Sequence, residues 1–93
     1  MSDLQLRFEE FHENNPHIYE KFCKYSFEAL RAGKDKFSAW LVTNRIRWDE
    51  EVHTKTDEKF KISNDFIALY ARKFMKDHPQ HQGFFRIRPM KRV

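Results

Sequence analysis

The sequence predicts a mainly α-helical single domain closed by a short β element: four helices and a C-terminal strand, in the order of a winged helix-turn-helix. Three observations predict it. Four stretches repeat apolar residues at helical spacing, each preceded by a side chain suited to capping. Gly33, Pro16 and Pro79 fall at the ends of these stretches, and Gly83 and Pro89 lie beyond the last of them. The chain then switches to strict alternation at Phe85-Arg86-Ile87-Arg88.

The N-terminal helix, 1–14, opens with the capping box Ser2-x-x-Gln5. Its row Leu4, Phe8, Phe11 leaves Glu9, Glu10 and Glu13 on the opposite face. Asn15 suits the N-cap and Pro16 the first position of the central helix, 15–33. Ile18, Phe22, Tyr25 and Ala29 form its stripe, broadened by Tyr19, Cys23, Phe27 and Leu30, and Gly33 supplies the left-handed residue that stops it. Lys34-Asp35-Lys36 is a polar link, Phe37 a short strand, and Ser38 the cap of helix three, 38–48. Its inner row is Ala39, Val42 and Ile46, with Trp40 and Leu41 alongside; Thr43, Asn44, Arg45 and Arg47 lie outside.

Asp49 to Lys59 has no core pattern and reads as a loop. Phe60-Lys61-Ile62 alternates briefly before Ser63 or Asn64 caps the fourth helix, 64–78, in which Phe66, Tyr70 and Phe74 recur every four residues. His78-Pro79 stops it, because a residue before proline avoids the α region. Gln80 to Gly83 reads as a turn and 84–89 as a wing strand, with Arg86 and Arg88 facing out and Pro89 ending it. The expected core is Phe22, Phe27, Leu30, Val42, Ile46, Phe66, Tyr70 and Phe74.

Composition excludes several classes. Ten Phe, three Tyr and two Trp in 93 residues are too many for a disordered chain, despite a mean hydropathy of −0.88. No apolar run approaches the roughly 20 residues that span a bilayer, so no membrane association is expected. The start of the chain, with Asp3, Glu9, Glu10 and Glu13, does not read as a signal peptide. Cys23 is the single cysteine, which fits a reducing compartment.

Charge is unevenly placed. Residues 1–30 carry three basic and six acidic side chains, and residues 61–93 carry eight basic against Asp65 and Asp77. The net +4 therefore conceals a basic last third, which points to a polyanion, nucleic acid ahead of membrane. The candidate nucleic-acid-binding residues are Lys61, Asn64, Arg72, Lys73, Lys76, Arg86 and Arg88. In the winged-helix order the fourth helix enters the major groove, with Asn64 suited to an adenine edge and Arg72 to a guanine edge. The lysines and the two wing arginines would hold phosphates. Asp65, in the first turn, and the long link before it count against this arrangement. The bland alternative is a helical bundle whose charges are merely solvated.

Catalytic and metal chemistry find no complete motif. His78-x-x-His81 flanks a proline turn and lacks the same-face geometry of a helical pair. Asp49-Glu50-Glu51 and Asp57-Glu58-Lys59 loosely resemble a nuclease carboxylate set, but lack the strand ends that would aim them at one cation. No cofactor, metal or catalytic residue is expected. Trp40 falls among core positions, whereas Trp48, beside Arg45 and Arg47, lies at the edge of the core, where exposure would favour an interface.

The ordered words of the sequence resemble a family of small phage and prophage proteins. They are Phe11-His12-x-x-Asn15-Pro16-His17-Ile18-Tyr19, Ala29-Leu30-Arg31-Ala32-Gly33, Phe37-Ser38-Ala39 and Ile46-Arg47-Trp48, followed by Phe60-Lys61-Ile62-Ser63-Asn64, Tyr70-Ala71-Arg72-x-Phe74-Met75-x-x-His78-Pro79 and Gly83-Phe84-Phe85. The resemblance spans residues 8–88. It implies a bacterial virus or integrated element acting in the host cytoplasm, and brings no functional residues with it. The expected function is a non-enzymatic DNA-binding protein with duplex DNA as partner. The alternative is a protein that binds and modulates a host protein, and a homodimer fits either.

Overall fold

Caps and apolar rows place four helices, α1 (Asp3–Asn14), α2 (Pro16–Arg31), α3 (Ala39–His53) and α4 (Asp65–Asp77), followed by a 3-10 turn at Pro79–His81. The computed structural model describes residues 2–53 and 61–86. α2, α3 and α4 pack against one another, and α1 lies on α2 and α4.

The first two helices meet at Asn15. Ser2 opens α1 by accepting from the Gln5 amide at 3.1 Å, but the Gln5 side chain turns to Glu9, so the capping box is half made. Asn15 does not cap α2. Its side chain donates to the Phe11 carbonyl at 3.0 Å and closes α1 instead. Pro16 has already removed one of the amide donors that a cap of α2 would satisfy. At the other end of α2, Gly33 has φ +91°, and the Gly33 and Lys34 amides return to the carbonyls of Leu30 and Ala29. This is the closure that favours glycine.

α3 departs from expectation in length and phase. It continues through Asp49–His53, part of the stretch read as a loop, although apolar periodicity ends at Trp48. Polar partners replace apolar ones there: Tyr25 donates to Asp49, while Lys21 and His17 reach Glu50 at 3.0 and 3.4 Å. Residues 54–59 of that expected loop, and Phe60, lie outside the described residues. Thr43, expected outside, is buried and donates to the Ala39 carbonyl at 2.9 Å, which satisfies its hydroxyl within the helix. Trp40 and Leu41, expected beside the core, are exposed.

The core joins Phe8, Ile18, Phe22, Val42, Ile46, Ile62, Phe66, Tyr70, Phe74, Phe84 and Phe85. Six of the eight expected core residues are buried, and Phe27 and Leu30 pack half-buried against them. The Tyr70 hydroxyl has no hydrogen-bond partner among the described residues. Burial pushes that phenol well above the ordinary tyrosine range. Tyr70→Phe should therefore leave stability unchanged or raise it by up to about 1 kcal/mol. A urea midpoint lowered by this substitution would show that the hydroxyl is satisfied.

The predicted C-terminal strand is corrected, and the winged-helix class with it. Among the described residues there is no strand, only an isolated parallel bridge between Phe37 and Phe85, with the Phe37 amide donating to the Phe84 carbonyl at 3.0 Å. The reason lies in the side chains. An alternating strand buries one of two neighbours, but Phe84 and Phe85 are both buried. Phe84 stacks on Phe37, and Phe85 packs on Phe22 and Phe74. Burial, not a hydrogen-bonded ladder, holds the segment, and residues 87–89 of the expected wing lie outside the described residues. The described residues form a four-helix domain with an apolar C-terminal plug, Phe84 and Phe85.

Candidate nucleic-acid interface

α4 buries Phe66, Ile67, Tyr70, Ala71 and Phe74. The four-residue row Asn64, Ala68, Arg72, Lys76 therefore turns outward, drifting slowly round the helix. Asn64, Arg72 and Lys76 are exposed, and small Ala68 keeps the middle of the face low.

The Phe37–Phe85 pairing brings a second set of cations to this face. Lys34 and Lys36, from the α2–α3 link, and Arg86, after the plug, border a groove of about 870 Å³ with Asn64. Trp40, Ile67, Ala68 and Ala71 form its apolar wall. A shallower hollow shares Lys34 and Lys36 and reaches Gln82, and a third joins Gln82 to Arg72 and Lys76. Shared residues link these hollows, Lys34 and Lys36 the first to the second and Gln82 the second to the third, with Asp35 as an acidic neighbour in the middle one. Asp65 adds a second carboxylate in the first turn of α4, where it suits the helix dipole but repels a phosphate.

The seven expected residues are divided by the fold. Asn64 and Arg86 line one groove, and Arg72 and Lys76 line another hollow. Lys61 is exposed ahead of buried Ile62, and Arg88 lies outside the described residues. Lys73 is turned away. It lies 3.5 Å from Asp77 and over the Tyr19 ring, in a hollow that Glu9, His12, Arg72 and Lys76 also line. Beside that hollow the Tyr19 hydroxyl donates to Asp77. That hydrogen bond, helped by Lys73, holds the Asp77 carboxyl below its ordinary range. Burial and the Lys73 charge push the His12 imidazole down. Burial pushes the Cys23 thiol up, which leaves it a poor nucleophile.

Asn64 is held by a residue the sequence placed on the outside. Arg47 donates at 2.6 Å both to the Ile62 carbonyl and to the Asn64 side-chain oxygen, and at 3.1 Å to Asn44. Its guanidinium lies 5.6 Å from the Trp40 ring centre. A guanidinium has donors only, so the Asn64 carbonyl oxygen faces Arg47 and its amide is left to donate. Reading an adenine edge needs both ends of the amide. The Asn64 oxygen keeps a second lone pair beside the bond from Arg47, so both ends of the amide stay available.

Lys34, Lys36 and Arg47 had no signal as site residues in the sequence. The two lysines sit in a charge-balanced middle third, and only the pairing of Phe37 with the plug shows that they neighbour Arg86. No family model matches the chain, and no curated protein or solved structure matches it either. Among the described residues no helix is long and apolar enough to cross a membrane.

Proposed function

We propose that this protein is a non-enzymatic DNA-binding protein that sets the outer face of α4 and its neighbouring groove against duplex DNA. One observation carries the reading: five cations from three separate segments line hollows that Lys34, Lys36 and Gln82 link, and small Ala68 lies in the groove beside Lys34, Lys36 and Arg86. Lysines and arginines so placed neutralise phosphates and position the protein without reading sequence. Asn64 and Arg72 then supply the donors nearest the bases. An origin in a bacterial virus or prophage, and action in the host cytoplasm, rest on the resemblance of the sequence words alone.

Two neighbours on α4 test the face. Arg72→Ala should weaken binding of a duplex about tenfold near 0.1 M salt, the loss of one phosphate contact. Lys73→Ala, which removes a cation already paired with Asp77, should change it less than about twofold. Fluorescence anisotropy with a labelled duplex reads both. Equal losses, or a larger loss for Lys73→Ala, would put the DNA on another surface. The second reading, binding to a host protein, draws on the exposed apolar face of α3 and would remain if no variant or condition gave DNA binding.

A further inference from the structure

The groove beside α4 has two linings of different character. Lys34, Lys36 and Arg86 border it, and among the described residues no Asp or Glu lines it. Its wall is apolar and carries Trp40, Ile67, Ala68 and Ala71. A duplex turns phosphates and sugars outward and keeps its base faces stacked inside. Its backbone therefore engages the cations and leaves this wall without a partner. A strand with unpaired nucleotides offers both chemistries at once, phosphates for the cations and a flat base for an aromatic ring. Proteins that hold single strands combine the same two features, a cationic groove and an aromatic face.

Trp40 is 51% exposed, yet its ring is held in place. Arg47 lies over the indole, 5.6 Å from the ring centre. That guanidinium is itself tied to the Ile62 carbonyl, to Asn64 and to Asn44. A ring fixed without being buried keeps surface for a ligand and loses little freedom when the ligand arrives. The groove volume, about 870 Å³, falls within the range of clefts that hold small ligands, which leaves room for a base. Trp48 is more exposed still but does not line the groove, so it serves as an internal comparison.

We infer that the groove seats an unpaired nucleotide of a DNA strand, its base stacked on Trp40 and its phosphates met by Lys34, Lys36 and Arg86. The inference rests on the DNA reading and narrows the substrate to duplex that continues into a single strand. Fluorescence anisotropy of three labelled DNAs tests it: a blunt duplex, the same duplex with a short single-stranded extension, and that extension made abasic. Both extensions carry the same phosphates, so stacking alone separates them. The base-bearing extension should bind about tenfold tighter than the abasic one. Trp40→Ala should erase this ratio, Trp40→Phe should keep most of it and Trp48→Ala all of it. Because the ratio is taken within one variant, a general weakening cancels. In Trp48→Phe protein, where Trp40 is the only indole, the base-bearing extension should quench the fluorescence more than the abasic one. Equal affinity for the two extensions, or a ratio that survives Trp40→Ala, would overturn the stacking site and leave duplex binding untouched. Salt-dependent binding of the base-bearing extension with none of the blunt duplex would overturn the duplex reading and keep this site.

Discussion

Phe74→Ala should remove about 3–5 kcal/mol from a stability of about 5–15 kcal/mol, enough to leave a marginal fold. Phe74 is fully buried, and its ring meets those of Phe22, Phe27, His78, His81, Phe84 and Phe85 at centroid distances of 4.7–6.4 Å. It joins α4 to α2 on one side and to the C-terminal plug on the other. Truncation would therefore open a cavity bounded by three segments, which cannot all collapse into it. Urea denaturation followed by circular dichroism measures the loss. An unchanged midpoint would mean that α4 presents a different face to the core.

The largest effect on binding should come from the cations the plug assembles. Lys34→Ala, Lys36→Ala and Arg86→Ala combined should weaken duplex binding about 500-fold near 0.1 M salt, if each neutralises one phosphate at about 0.9 decade per contact. All three side chains are exposed, so the midpoint of unfolding should stay where it is. Anisotropy titration of the folded variant gives the affinity directly. A loss below tenfold would show that the groove does not face DNA. Asp65→Asn should act in the opposite sense and tighten binding, since it removes a carboxylate from the same face.

Local chemistry made much of the fold legible. Ser38 caps α3 as its position predicts, with its hydroxyl 3.2 Å from the Leu41 amide. Gly33 stops α2, and the Phe66, Tyr70, Phe74 row fixes the phase of α4. The misreadings occur where a distant segment overrides a local pattern. Asp49 and Glu50 have no apolar rhythm, yet they extend α3 because α2 supplies Tyr25 and Lys21 to meet them. Phe85-Arg86-Ile87-Arg88 alternates like a strand, yet the preceding Phe84 is also drawn into the core by Phe37. The candidate site was legible on α4 and at Arg86. Its other half, Lys34 and Lys36, is distant in sequence and adjacent in space, and no periodicity reports that. Trp40 and Leu41 mislead in another way: apolar residues at helical spacing read as core, and only the burial of Thr43 shows that α3 is turned to expose them.

The salt dependence of duplex binding tests the proposed surface most directly. Five cations meeting phosphates should give a log–log slope of affinity against salt near −4.5, at roughly −0.9 per neutralised phosphate. The variant lacking Lys34, Lys36 and Arg86 should retain a slope near −1.8, from the two contacts left on α4. Wild-type protein that shows no salt-dependent binding even at low ionic strength, or a variant that keeps the full slope, would contradict the assignment of this surface to DNA.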